Sequence, residues 1–229
     1  MIESRLSKRL EAIVSHINCR VLADIGTDHG YTPVAACELN RAKFGIACDI
    51  SINSLRKAES YIRKKNMSDR IETRLGGGFD PILSGEADTA VITGIGGMLI
   101  RDIIQDGLSK AKGIGRLILG PQRDIPALRQ SLNDMGIIIK DEEMLMEGGI
   151  FYNILICEPG SPKILTPEGR MFGQALIDKA DPILRLFLLK LIEKNSRILE
   201  QADKEALEEE LLLAVCVLKQ KGWEAWVKP

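Results

Sequence analysis

The sequence predicts an α/β fold, a doubly wound parallel sheet closed by an antiparallel terminal hairpin and followed by a helical, coiled-coil-like C-terminal domain. Three observations predict it. Short β-rich apolar runs alternate with helix-length periodic stretches from residue 20 to about 135, which is the pattern of parallel βαβ units. Two strand-like runs then meet at Glu147-Gly148-Gly149, a connection too short for a crossover helix. Beyond residue 160 strand signals stop and apolar residues recur at helical spacing.

In chain order the strands are "VLADI" (21–25), "FGIAC" (44–48), "IETRL" (71–75), "TAVIT" (89–93) and "RLILG" (116–120). Helices are predicted between them at 31–40, 51–66, 97–110 and 124–135, and "GIIIKDEEMLM" and "GGIFYNILICE" form the hairpin. The stretch "EPGSPK" reads as a linker, which divides the chain into domains at 1–160 and 161–229. After it Asp181-Pro182 supplies an N-cap and first turn. Two antiparallel helices are expected, with a bend near 200–206. Their apolar density requires packing on each other, on the main domain or on a second subunit, so monomer and dimer both stay open.

A chain of 229 residues, 45% hydrophobic, can bury a substantial core. No apolar run approaches the roughly 20 residues that span a bilayer, and "MIESRLSKRL" lacks the apolar stretch of a signal peptide. A cytoplasmic protein with no membrane partner is expected. Five cysteines without a CxxC pair, each in an apolar context, point to buried thiols and no metal. The net charge of −1 gives no bulk attraction to nucleic acid, but residues 1–70 hold twelve Lys/Arg against eight Asp/Glu. That excess gathers in "SRLSKR" and "RKAESYIRKK". These are either solvated helix faces or a phosphate-contacting surface.

Doubly wound sheets bind ligands at the carboxyl ends of their strands. Here the first strand ends in Asp24-Ile25-Gly26 and the next helix begins near Gly30-Tyr31, while Thr27, Asp28 and His29 occupy the turn between. A complete GxGxxG is absent. Asp24 beside the turn would repel a pyrophosphate, whereas S-adenosylmethionine carries cationic ammonium and sulfonium groups. The D-x-G-x-x-x-G form is the usual loop of class I methyltransferases, and the antiparallel hairpin agrees with it. Asp49 ends the second strand where ribose hydroxyls would lie, with Ser51 a competing helix cap.

"LSKRL", "ADIGTDHGYTP", "IETRLGGGF", "TGIGGMLI", "RLILGPQ" and "GGIFYNILICE" occur in that order. Together they resemble the TrmK family, the bacterial tRNA adenine-22 N1-methyltransferases, over residues 6–158, with the helical tail where that family has its coiled coil. The resemblance implies S-adenosyl-L-methionine as cofactor, tRNA as partner, and methylation of an adenine N1 in the D-arm region. The cofactor would lie against Asp24, Gly26, Thr27, Asp28, His29, Gly30, Tyr31, Asp49, Ile50, Gly77, Gly78, Phe79, Thr93 and Gly94. Gly77 stands where the family has Asp or Asn, so a backbone carbonyl or Asp80 takes over that acceptor. Thr93 and Ile95 replace the alanine and methionine of A-G-M-G-G, and "LILGPQ" stands for L-I-L-Q-P-N.

Methylating a neutral adenine N1 needs no prior deprotonation, but it makes a cation. Asp28 is therefore the catalytic candidate, as a charge stabiliser. Anchoring the cofactor's methionine end, or an Asx bond to its own turn, are its other readings. Ile95, Gly96 and Gly97 either open a slot for a flipped base or form a tight packing turn. Tyr31 is a stacking surface or a core residue, His29 a substrate contact, and His16 structural. The tRNA is expected across Arg5, Lys8, Arg9, Arg56, Lys57, Arg63, Lys64 and Lys65, and across Lys190, Lys194, Arg197 and Lys204 on one face of the tail. The competing functions are a methyltransferase of a small molecule or protein, and a weak cofactor-binding protein whose tail recruits a partner.

Overall fold

A computed structural model describes residues 6–199 and 205–223. The sheet has seven strands: β1 (Cys19–Ile25), β2 (Ala42–Asp49), β3 (Ile71–Leu75), β4 (Thr89–Thr93), β5 (Arg116–Gly120), β6 (Ile137–Glu147) and β7 (Ile150–Pro159). Their order is β3-β2-β1-β4-β5-β7-β6. The first five are parallel, and β7 enters antiparallel between β5 and β6. The order reverses at β1, so the crevice of the fold opens above β1 and β4. Gly148 (φ 58°) and Gly149 (φ 82°) turn the hairpin through the left-handed region that two-residue hairpin loops require.

The central strands are apolar on both faces because helices cover both. On one side α1 (Lys8–Ser15), α2 (Tyr31–Glu38) and α3 (Ile52–Lys64) bury Leu22, Val91, Ile118 and Ile154. On the other, α4 (Gly97–Asp106), α5 (Leu108–Gly113) and α6 (Ile125–Asp134) cover Ile25, Ile92, Leu119 and Leu155. The single helix predicted over 97–110 is broken in two at Gly107. A Cβ there would stand 2.7 Å from the Phe79 ring, so this close approach leaves room only for glycine.

The tail begins with an unforeseen π-helical turn (Gly169–Gly173) and α7 (Gln174–Asp178), and continues as α8 (Pro182–Leu199) and α9 (Glu205–Gln220). Asp181 caps α8 through Ile183 N at 2.8 Å. Residues 200–204, most of the predicted bend, lie outside the described residues. The two helices pack on each other and on the hairpin, where Met144 and Phe151 join Leu176, Leu184, Leu188 and Leu213 in one cluster. A buried ion pair fastens this unit: Arg129 Nη2 meets Glu142 Oε2 at 2.7 Å, and Arg129 Nη1 donates to the carbonyls of Arg170 and Met171. Cys37, Cys48 and Cys157 are buried, but Cys216 is exposed. The inward face of α9 runs through Leu213, Ala214, Val217 and Leu218, which turns position 216 outward. Among the described residues no helix is long and apolar enough to cross a membrane.

Candidate active site

The turn after β1 is held by its own backbone. Gly26 (φ 81°) and Thr27 both donate their N–H to Cys48 O at 2.8 Å. Thr27 Oγ1 accepts Gly30 N at 3.2 Å. Gly30 is left-handed, and a Cβ on it would press on Ala58 at 3.3 Å. No side chain caps α2, so its first N–H groups face the crevice as donors.

Asp24 is buried at the end of β1, 6% exposed. Burial pushes its carboxyl up to about 6, helped by the Asp49 charge and opposed by the Thr27 hydrogen bond. A buried acid in this condition is relieved by a cation set against it. Asp49 ends β2 and accepts Ser51 N at 2.7 Å through Oδ1, while Ser51 itself caps α3 through Ser54 N. Both residues at this corner therefore bond the start of α3, and among the described residues Asp49 Oδ2 takes no hydrogen bond. Ile50 beside it is 81% exposed, an apolar surface standing at the rim.

Three glycines line the crevice from three strand ends. Added Cβ atoms on Gly26, Gly77 and Gly94 would meet nothing within 4 Å, so each opens onto empty space. Gly77 O accepts Asp80 N at 3.0 Å, which leaves that carbonyl one further lone pair. Gly78 (φ 50°) approaches Ile103. Phe79 departs from the expectation. Its ring is 2% exposed and belongs to the core, and its carbonyl accepts Lys110 Nζ. A buried acid at the end of β1, a second acid at the end of β2 and three bare glycines suit the cationic, phosphate-free S-adenosylmethionine rather than a dinucleotide.

Asp28 stands at the rim with its side chain 59% exposed. Oδ1 takes Lys57 Nζ at 3.0 Å and Oδ2 lies 2.8 Å from His29 Nδ1. Lys57 is the main reason its carboxyl sits below the usual range. An Asx bond to its own turn is not what holds it. His29 stacks on Tyr31 at 5.0 Å, and Tyr31 meets Tyr61 edge-on at 4.8 Å. Tyr31 is thus a surface residue, 48% exposed. Sequence reasoning did not single out Tyr61.

After β4, Thr93 is half-buried and Gly94 (φ 83°) takes the turn. Ile95 packs against the core and its carbonyl accepts Gln122 N at 3.0 Å. Gly97 N donates to Arg123 O, and a Cβ on Gly97 would overlap that oxygen at 2.7 Å. One on Gly96 would stand 2.8 Å from Arg123 Nε. Of the two readings for these glycines, packing accounts for Gly97 directly. It also brings forward Arg123, missed because nothing in "GPQRD" distinguishes it from a solvated loop residue.

The basic residues divide. Arg9 lies over the Tyr152 ring and Lys190 over Phe151, on opposite faces of the hairpin near its tip. That tip projects on the same side as the carboxyl ends of β1–β5, because β6 runs parallel to β5. Lys194 is exposed on α8, one turn from Lys190, and Arg197 pairs with Glu193. Lys64 is placed differently from expectation. The helix α3 starts at the crevice and runs away from it, so Arg63, Lys64 and Lys65 sit at its far end, about 20 Å along the axis. Lys65 there pairs with Glu38. Lys57, in the second turn, borders the mouth through its bond to Asp28. Arg5 and Lys204 lie outside the described residues.

A methyltransferase-domain family model matches residues 6–155. The tRNA (adenine(22)-N(1))-methyltransferase of Bacillus subtilis (strain 168) is 32% identical over 212 residues, 90% of this chain and 89% of that protein. The structure of Streptococcus pneumoniae Sp1610 in complex with S-adenosyl-L-methionine superposes with a TM-score of 0.86 at 31% identity, covering 93% of this chain and 99% of that one. That of M. capricolum TrmK with S-adenosyl-homocysteine gives 0.77 at 25% identity, covering 95% and 97%.

Proposed function

We propose, for a chain that belongs to the tRNA (adenine(22)-N(1))-methyltransferase family, that it methylates N1 of an adenine in the D-arm region of tRNA with S-adenosyl-L-methionine. The observation that carries the reading is the crevice itself. It pairs a buried acid with three glycines that face open space at the switch point of the sheet. When bound, the cofactor supplies a methyl group on a sulfonium; the N1 lone pair forms the new bond, the S–C bond breaks, and no proton moves.

In this reading Asp24 holds the ammonium end of the cofactor, together with the turn from Gly26 to Tyr31. Asp49 binds the ribose through Oδ2, and Ile50 and the Gly77–Phe79 backbone flank its base. Thr93 and Gly94 lie against the cofactor, and Ile95 and Gly96 leave room for the target base. Asp28 stabilises the charge that develops on the adenine. Arg9, Lys57, Lys190, Lys194 and Arg197 hold the RNA backbone. Positioning N1 in line with the methyl and excluding water provides roughly 7–11 kcal/mol of rate enhancement. We place the domain boundary after Gly160, with residues 161–181 docking the helices onto the hairpin.

The test is direct. The protein is incubated with the cofactor and bulk bacterial tRNA, and the digested nucleosides are separated and weighed. The expected product is 1-methyladenosine from one position; methyl transfer to another nucleoside, or to none, refutes the reading.

A further inference from the structure

The helix α3 leaves the crevice at its Ser51 cap and runs about 20 Å down one face of the sheet. It buries Leu55, Ala58 and Ile62. At about 3.6 residues per turn, the side opposite those three carries Asn53, Arg56, Lys57, Ser60, Arg63 and Lys64, and all of them are exposed. Four are cations and none is an acid.

Glu59 is the one acid of this helix. It lies three residues after Arg56 and four before Arg63, the spacings at which a helix pairs opposite charges. Instead its Oε1 accepts a hydrogen bond from Thr73 Oγ1 at 3.0 Å, which ties it to β3 and away from the outer face. Among the described residues no acid forms an ion pair with Arg56, Arg63 or Lys64, whereas Lys57 has Asp28 and Lys65 has Glu38. Arg63 and Lys64 lie in the last turn and complement the helix dipole. Arg56, in the second turn, gains nothing from the dipole, so nothing within α3 calls for its charge. The stripe is also continuous with the crevice, because Lys57 belongs to both through its bond to Asp28.

We infer that the outward face of α3 is an RNA track, along which the sugar–phosphate backbone beside the methylated adenine leaves the crevice. The inference rests on the tRNA reading above. An unneutralised row of cations suits a polyanion, and the exposed Asn53 and Ser60 add the neutral donors that phosphate oxygens also accept from. Lys57 holds the first phosphate at the mouth; Arg56, Arg63 and Lys64 hold those that follow.

A triple variant of the full chain, Arg56→Gln with Arg63→Gln and Lys64→Gln, tests it. The Kd for tRNA is followed by fluorescence anisotropy between about 50 and 200 mM salt. Three phosphate contacts carry a log–log slope of about 2 to 3, so over that range the wild type should lose roughly twenty- to fortyfold more affinity than the variant. In methylation assays KM should rise, with kcat and the cofactor Kd within about twofold of wild type. A control removes the same charge elsewhere, at the exposed Lys112, Lys140 and Lys163, each changed to Gln, and should keep the wild-type slope. An unchanged slope in the α3 variant, or an equal loss in the control, overturns the track. Should the triple variant fold poorly, Arg56→Glu alone must weaken tRNA binding and lower the slope. If the wild type binds tRNA with this difference in slope yet methylates none, the reading of the activity fails and the track stands; no binding of tRNA overturns both.

Discussion

Lowering the pH from 7 to 5 protonates one carboxylate buried in the crevice. Asp24 is 6% exposed, and burial has carried its carboxyl from 3.8 to about 6. Two units correspond to about 3 kcal/mol. The folded chain holds this proton more tightly than the unfolded chain does. Asp24 therefore costs no stability below the unfolded value, and its cost grows as pH rises from about 4 to about 6. By pH 7 the ligand-free protein carries the whole penalty of a buried anion. An ammonium group against Asp24 removes that penalty. Below pH 6 each cofactor molecule must then expel a proton to bind, and affinity falls about tenfold per unit. Calorimetry in two buffers of different ionisation heat should show roughly one proton released near pH 5, and a Kd about tenfold weaker there than at pH 7. Asp24→Asn should flatten this dependence, bind more weakly at pH 7, and raise ligand-free stability at pH 7 by up to about 3 kcal/mol. A wild-type Kd constant from pH 5 to 7 without proton release refutes the argument. So does the same slope in the Asn variant.

Asp49→Ala should weaken cofactor binding by about 1.5–3 kcal/mol; lost thermal stability at unchanged Kd would assign Asp49 to capping Ser51 N alone. Asp28→Asn should lower turnover far more than cofactor affinity, and equal losses in steady-state and binding measurements would make it a cofactor anchor. Glu142→Gln removes the charge paired with Arg129 inside the protein and should cost about 3–5 kcal/mol in denaturant unfolding. Affinity for tRNA should fall steeply with salt, and Arg9→Gln or Lys190→Gln should each reduce the log–log slope by about one; an unaltered slope removes that residue from the interface.

The strands were legible because a sheet covered on both faces writes itself as continuous apolar runs, such as Val21–Ile25 and Thr89–Thr93. The hairpin was legible from two glycines. The break at Gly107 was not, since its cause is the Phe79 ring, far away in the sequence. Helical periodicity showed that α8 and α9 each have a buried face but could not name the hairpin as its partner. Asp24 and Asp49 stood out as candidates by their distance from the glycine turn, and the structure places both at strand ends of the crevice. The bond from Lys57 to Asp28 joins residues 29 apart and depends on how α3 crosses α2. The misplacement of Lys64 was avoidable: a helix that starts at a strand's carboxyl end carries its own last turn away from the site.

The rim carboxylate stands in a different environment from the buried one. Nothing in the backbone demands an acid at position 28, where positive φ is confined to Gly26 and Gly30 on either side. In the free protein Lys57 and His29 occupy both its oxygens, and water screens the group. Under our proposal, RNA arriving at the mouth displaces that water, and the lower local dielectric strengthens every charge there. Lys57 then has two anions to choose between, Asp28 and a phosphate. Once N1 carries the methyl group, the adenine becomes a cation that competes for Asp28 as well. Moving Lys57 to the phosphate while the product cation takes Asp28 keeps both anions paired, so the reaction need leave no charge unpartnered. A carboxylate buried like Asp24 could not make this exchange, because its partner must already be present before substrate binds. In this proposal, exposure at position 28 is what lets one acid serve two cations in turn.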